Sequence, residues 1–101
     1  MAMMEISVLP VGTPTPSLSQ YVADALKVLQ REKDLKHELT AMGTIVEGET
    51  DRLLALAGKM HRSAFRSGIK RVVTTIKIDE RHDKPLTIAG KIRAVKDKLE
   101  R

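Results

Sequence analysis

Alternating hydrophobic and polar residues near the N-terminus predict the first strand. Residues 4–9 read Met-Glu-Ile-Ser-Val-Leu, with Ile6 and Val8 on one side and polar side chains on the other. Successive side chains of a strand point to opposite faces, so this pattern is typical of a half-buried strand. The proline- and glycine-rich residues 10–16 then predict a loop, because proline lacks the N–H that a ladder or a helix needs.

Apolar residues at three- and four-residue spacing predict three helices. The first begins at the capping-box pattern Ser17–Gln20. The second begins at Thr50 or Asp51 and stops before Gly68, and the third begins at Thr87. The apolar positions are Leu53, Leu54, Ala57, Met60, Ala64 and Phe65 in the second helix and Ile88, Ile92, Val95 and Leu99 in the third.

Two further segments predict the rest of a sheet. Residues 36–48 are typical of a hairpin whose turn lies near Gly43, the residue expected to adopt a positive φ. The β-branched run from Val72 to Asp79 is the clearest strand of the chain. The order β-α-β-β-α-β, followed by a helix, predicts an α+β fold of the ferredoxin-like class with a four-stranded antiparallel sheet.

This fold leaves one face of the sheet uncovered, because both main helices pack on the other face. The alternation assigns to the helix face Ile6, Val8, Leu39, Val46, Val72, Ile76 and Ile78. It assigns to the open face Glu5, Ser7, Glu38, Thr40, Ile45, Glu47, Val73, Thr75, Lys77 and Asp79. We expect sheet faces or edges to meet between subunits around a polar pocket, and the C-terminal apolar stripe to dock on a neighbour.

Length and composition limit the classes of protein. A chain of 101 residues has room for one domain, which we expect over residues 1–101, with its core at about 4–80 and the last helix at about 87–100. The absence of cysteine excludes disulfides, thiolate chemistry and cysteine-ligated zinc. No apolar run approaches a membrane span, and the N-terminus lacks the basic region of a signal peptide. These features predict a cytoplasmic protein that does not enter a membrane.

The net charge of +5 is concentrated in the C-terminal third. Residues 66–101 carry 11 Lys+Arg against 5 Asp+Glu. Such a surface could meet nucleic acid or an acidic partner, although a solvated face is the commoner outcome. Tyr21 and Phe65 are too few for the stacking platforms of proteins that bind single strands. An interaction or nucleic-acid-binding module is therefore the alternative function.

No motif predicts catalysis or a metal site. His37, His61 and His82 lack the helical spacing of zinc ligands. Glu5 and Glu47 could lie close on neighbouring strands and do acid–base work, but such sheet carboxylates more often form a satisfied polar cluster. We therefore expect no catalytic residues, no metal and no cofactor, with an enzyme as the minority interpretation.

Several stretches resemble the thiamine-binding protein family. They are residues 5–12, residues 38–48, Met60-His61 with Phe65 and Gly68, and residues 71–81 with the following Asp83-Lys84-Pro85. The blocks Met-Gly-Thr and Val-Val-Thr-Thr-Ile-Lys-Ile-Asp are the distinctive ones. The resemblance implies a ferredoxin-like homotetramer, built as a dimer of dimers. It also implies binding of thiamine or its hydroxymethylpyrimidine moiety without catalysis, as a carrier, buffer or sensor.

The matching blocks imply a set of pocket residues. These are Ser7, Thr40, Met42, Thr44, Glu47, Thr75 and Lys77. Thiamine carries a permanent positive charge, and burying that charge without a counter-charge would be costly. Glu5 or Glu47 could supply the counter-charge, while hydroxyl and backbone groups satisfy the aminopyrimidine edge. Met42 could pack on a flat ring.

Overall fold

The computed structural model describes residues 1–66 and 68–100 and has the predicted order of elements. Its strands are β1 (Ala2–Val11), β2 (His37–Leu39), β3 (Thr44–Gly48) and β4 (Arg71–Glu80), and its helices are α1 (Ser19–Gln30), α2 (Thr50–Ser63) and α3 (Ile88–Leu99). The sheet is antiparallel throughout, in the order β2-β3-β1-β4. Helices α1 and α2 pack on one face of it. This ferredoxin-like fold confirms the prediction.

The core lies between the sheet and the two helices. Ile6 lies opposite Thr44 on one side and Ile76 on the other, which places these three on the helix face as the alternation predicts. Helix α2 buries most of the predicted face, including Leu53, Ala57 and Met60. Leu54 is the exception at 48% exposed, and Phe65, which is 45% exposed, lies beyond the end of the helix at Ser63. The largest fully buried side chains are Met4, Ile6, Leu29, Val46, Leu53, Leu56 and Met60.

Strand β1 is longer than predicted. It continues to Val11, and Pro10 lies opposite Val72 of β4. The pairing of β1 with β3 ends at Ile6, so one side of β1 has no neighbouring strand at Pro10. A proline is tolerated at such an edge position because no ladder bond is required of it there. The predicted loop therefore begins at Gly12, whose φ is +85°.

The capping box predicted for α1 is wrong. The helix begins after Leu18, which makes no side-chain cap. The Gln20 amide donates to Asp24 Oδ1 at 3.0 Å instead of reaching back to Ser17. A contact four residues along the helix competes with the backward contact that a capping box needs.

The cap predicted for α2 is also wrong, and the cap of α3 is confirmed. Helix α2 begins after Glu49, and the Thr50 hydroxyl donates to Glu80 of β4 rather than to its own helix. Thr87 caps α3 by accepting a hydrogen bond from the Gly90 N–H at 3.0 Å. A partner in the tertiary structure thus takes the hydroxyl that the local pattern assigns to a cap.

The turn between β2 and β3 needs glycine for a reason other than the predicted one. Gly43 has no positive φ, whereas the glycines at 12 and 68 do. A Cβ at Gly43 would lie 3.2 Å from the Ile6 carbonyl oxygen. The close approach of two backbones therefore favours glycine here. The Thr40 hydroxyl shapes the turn by donating to the Gly43 carbonyl oxygen at 2.7 Å.

Helix α3 stands apart from the two-layer core. It has no buried residue, and Ile92, Val95 and Leu99 are 46%, 60% and 78% exposed. The molecule is accordingly elongated, with extents of 50 × 29 × 20 Å. None of the helices in the described part of the chain is long and apolar enough to cross a membrane.

A cluster of charges ties the segment after α1 to α2. Arg52 Nη2 donates to Asp34 Oδ1 at 2.6 Å and to Glu32 Oε2 at 3.0 Å. These guanidinium hydrogen bonds hold the pKa of Asp34 at about 2, below its usual range. The Asp34 side chain is 68% exposed, so water screens the interaction and its contribution to stability is small.

This cluster predicts a small acid sensitivity. A carboxyl whose pKa is lowered on folding stabilises the protein above its ordinary pKa, and that stabilisation is lost as the pH falls from about 4 towards 2. We expect the melting temperature of Arg52→Met to fall less over that pH interval than the melting temperature of the unsubstituted protein. Parallel curves for the two proteins would contradict the assignment.

Candidate ligand-binding site

A cleft of about 550 Å³ lies between the open face of the sheet and the first turns of α3. This volume falls in the usual range of small-molecule pockets, of roughly 300–1,000 Å³. Aliphatic and charged side chains both line it. The lining residues are Met3, Glu5, Glu38, Thr40, Ile45, Lys77, Ile78, Asp79, Ile88, Lys91 and Ile92.

One row of side chains crosses all four strands beneath the cleft. Glu38 of β2 lies opposite Ile45 of β3, and Ile45 lies opposite Glu5 of β1. Glu5 in turn lies opposite Lys77 of β4, and Lys77 Nζ is 3.8 Å from Glu5 Oε1. Residues directly opposite in an antiparallel sheet share a face. The row therefore presents the aliphatic side chain of Ile45 with one carboxylate on each side of it, Glu38 and Glu5.

The first turns of α3 form a wall of the cleft. Two bonds attach this wall to the sheet. The Ile88 N–H donates to Glu47 Oε1 at 2.6 Å, and Lys91 Nζ donates to Asp79 Oδ2 at 2.6 Å. A carboxylate at a helix N-terminus is also favoured by the helix dipole. Helix α3 is thus joined to β3 and β4 through polar contacts at its start.

Glu47 is outside the lining of this cleft but lines an adjoining one that shares Glu38, Ile88 and Ile92 with it. The residue is 7% exposed, and its carboxylate lies beneath the start of α3 rather than in the lining of the cleft. Its contact with α3 spans 41 residues of sequence. Its geometry is that of a positioning residue that holds the wall.

The other predicted site residues are divided between two places. Thr40 and Lys77 line the cleft, and Thr75 lies on the open face opposite Ser7, outside the lining. A separate groove of about 290 Å³ lies between α1 and the β2–β3 turn. Thr40 also borders that groove, together with Ser7, Met42 and Thr44.

Two of these residues occupy contrasting environments. Met42 is 86% exposed in the β2–β3 turn, whereas Thr44 is 5% exposed and faces the helix layer opposite Ile6. The hydroxyl of Thr40 already accepts a hydrogen bond from the Gly43 N–H at 3.1 Å. The predicted site residues therefore border different cavities, and Thr40 borders both the cleft and the groove.

Sequence reasoning missed the part that α3 plays in the site. Ile88, Lys91 and Ile92 line the cleft, although the apolar stripe of this helix is expected to dock on a neighbour. Alternation along β2 and β4 assigns Glu38 and Asp79 to the face that carries Glu5, but no motif marks either as a site residue. No local pattern shows that the first turns of α3 border the open face of their own sheet.

The chemistry of the cleft is that of binding a small charged molecule. Carboxylates could accept hydrogen bonds and balance a cation, while the isoleucines could pack on a flat ring. His61 lies on the helix face, where Nδ1 is 2.6 Å from the Thr74 hydroxyl oxygen. Among residues 1–66 and 68–100, no group of three potential ligands is arranged to hold a metal ion.

Comparisons with known proteins identify the family. The chain is 43% identical over 103 residues to UPF0045 protein YqgV of Bacillus subtilis, covering 99% of both chains. The crystal structure of MJ1052 from Methanocaldococcus jannaschii superposes with a TM-score of 0.85 at 38% identity, over 95% of this chain and 96% of that one. A domain of unknown function from Bacillus cereus superposes with a TM-score of 0.78 at 31% identity, over 96% and 91%.

The family comparison covers nearly the whole chain. The family described as thiamine-binding protein matches residues 4–96, from within β1 to the last turn of α3. This match includes every strand of the sheet and the residues of α3 that line the cleft. The chain therefore belongs to the thiamine-binding protein family.

Proposed function

We propose that this protein binds thiamine, or its hydroxymethylpyrimidine moiety, in the cleft between the open sheet face and α3. The observation that supports this proposal is an acidic, partly apolar cleft of about 550 Å³ in a member of the thiamine-binding protein family. The protein acts as a carrier, buffer or sensor rather than as an enzyme.

The charges of the cleft support a cationic ligand. A thiazolium ring can lie near Glu5 or Glu38 while the isoleucine side chains pack on its faces. Hydrogen bonds to charged groups contribute about 1.5–3 kcal/mol each. After the costs of ordering, two such bonds and the apolar contacts are consistent with roughly micromolar affinity.

Non-catalytic binding agrees with the positions of the histidines. His61 is hydrogen-bonded to Thr74 on the helix face, and His82 is 2.5 Å from Glu80 Oε2 on an exposed loop. Neither belongs to the lining of the cleft, and His37 borders an adjoining cleft rather than this one. Histidine is the commonest general base in enzymes, and none of the three histidines lines the proposed site.

Calorimetric titration with thiamine tests the proposal. We expect saturable binding, and we expect Glu5→Gln to weaken it by about tenfold, because the variant removes a charge from the centre of the lining row. Asp51→Asn is a matched control, because it removes one negative charge from exposed α2 on the opposite face. We expect this control to bind as the unsubstituted protein does.

Two results would contradict this function. The first is the absence of binding heat with thiamine and with hydroxymethylpyrimidine at high ligand concentration. The second is turnover of either compound that Glu5→Gln abolishes, which would favour an enzyme that uses the carboxylates of the open face.

The alternative of nucleic-acid binding has less support. Four basic residues in the described part of the C-terminal third form ion pairs: Arg66 is 3.8 Å from Asp24, Lys77 3.8 Å from Glu5, Arg81 2.5 Å from Asp83, and Lys91 2.6 Å from Asp79. Paired cations contribute less to phosphate binding than free ones. The homotetramer and the cytoplasmic location stay predictions of the sequence. For the tetramer, the exposed Val95 and Leu99 offer apolar surface.

A further inference from the structure

The charged side chains around the cleft are unbalanced. Three carboxylates and two ammonium groups line it. Lys91 is paired with Asp79 at 2.6 Å, and Lys77 is 3.8 Å from Glu5. Among the described residues, no cationic side chain lies within 4.0 Å of the Glu38 carboxylate. The cleft therefore has one carboxylate beyond its paired charges.

We propose that this charge balance makes the cleft select the unphosphorylated cation and reject its phosphate esters. The inference rests on the proposed function, because it concerns the ligand of the same cleft. A thiazolium brings one positive charge, which balances Glu38. A pyrophosphate ester brings a net negative charge into a cleft that is already acidic, and like charges at short range repel each other.

Recruiting Lys91 would not accommodate a phosphate group. The Lys91 ammonium group is one of two polar attachments of α3 to the sheet. A phosphate that took this ammonium group would leave the Asp79 carboxylate unpaired beside it. It would also weaken the wall that forms the cleft. Binding of the ester is therefore opposed by repulsion from the carboxylates and by the loss of the Lys91–Asp79 bond that holds the wall.

Recruiting Lys77 has a similar consequence. Its side chain is 79% exposed and its partner Glu5 is 3.8 Å away, so the ammonium group can turn outward. Glu5, which is 43% exposed, would then be a second carboxylate without a partner. Moving the lysine changes the pairing within the cleft but leaves its net charge unchanged.

Titration of the full chain with thiamine, thiamine monophosphate and thiamine pyrophosphate at one ionic strength tests this selectivity. We expect thiamine to bind at least about tenfold more tightly than the pyrophosphate, with the monophosphate between them. The ratio should fall as salt is added, because counterions screen the repulsion. Glu38→Gln should weaken thiamine binding and lower the ratio of the thiamine affinity to the pyrophosphate affinity. Glu38→Lys should bring this ratio close to one or make the pyrophosphate the tighter ligand.

Glu49→Gln is the control for these variants. It removes the same charge from an exposed position outside the cleft and should keep the ratio of the unsubstituted protein. Equal or tighter binding of the pyrophosphate would overturn the selectivity and leave the proposed function standing. A Glu38→Gln variant that keeps the full ratio would also overturn the selectivity. An absence of heat with all three compounds would overturn the proposed function itself.

Discussion

Leu53→Ala will lower the free energy of unfolding by about 2–5 kcal/mol, the usual cost of removing a buried leucine side chain. Leu53 is 0% exposed at the start of α2, where it packs against the sheet near Gly48. The packing there is tight, since a Cβ at Gly48 would lie 3.3 Å from Leu53 Cδ2. Surrounding groups cannot close the space completely, so a cavity adds to the loss of buried apolar surface.

The adjacent residue provides a matched control. Leu54 is 48% exposed, and we expect Leu54→Ala to change the free energy of unfolding by less than about 0.5 kcal/mol. Denaturant unfolding followed by far-ultraviolet circular dichroism measures both variants. Equal losses would show that α2 packs through the face that includes Leu54, as the periodicity alone predicts.

Glu47→Leu will weaken thiamine binding by about tenfold or more, although Glu47 is outside the lining of the cleft. The variant removes the acceptor of the Ile88 N–H, and a hydrogen bond to a charged group contributes about 1.5–3 kcal/mol. Among the described residues, the Lys91–Asp79 hydrogen bond is then the remaining attachment of the start of α3 to the sheet. In the variant, part of the ligand's binding free energy is used to bring α3 back to its position in the wall. The apparent affinity therefore falls.

Two further variants separate position from charge. Glu47→Gln keeps an oxygen acceptor for the Ile88 N–H, and we expect it to bind more tightly than Glu47→Leu. Glu49→Leu changes an exposed neighbour that makes no side-chain cap bond to α2, and we expect unchanged affinity. If Glu47→Gln loses as much affinity as Glu47→Leu, the charge of Glu47 acts on the ligand directly.

The sequence predicted the fold well because its patterns are local. Alternation in β1, β3 and β4 and helical spacing in α1 and α2 each depend on residues a few positions apart. The cap at Thr87 was also predicted, since its partner is three residues away. The caps predicted for α1 and α2 are wrong, because Gln20 and Thr50 bind other partners in the folded chain.

The candidate site could be predicted only in part. Glu5, Glu38 and Lys77 share a row on the open face, and their alternation along three strands shows that they face the same way. Which of the open-face residues border a cleft depends on where α3 begins. The position of that start depends on contacts such as Ile88 with Glu47, 41 residues apart, which no periodicity contains.

By itself the sequence determined the ferredoxin-like order of elements, the polar open face and the resemblance to a thiamine-binding family. Each follows from spacing or from short blocks of residues, which survive without knowledge of long-range contacts. Only the tertiary structure decided that the first turns of α3 border the open face, that Glu47 holds the start of this helix and that, among the described residues, Glu38 has no cationic partner in the cleft. These features depend on distances between side chains remote in sequence, and such distances exist only once the sheet and α3 have packed.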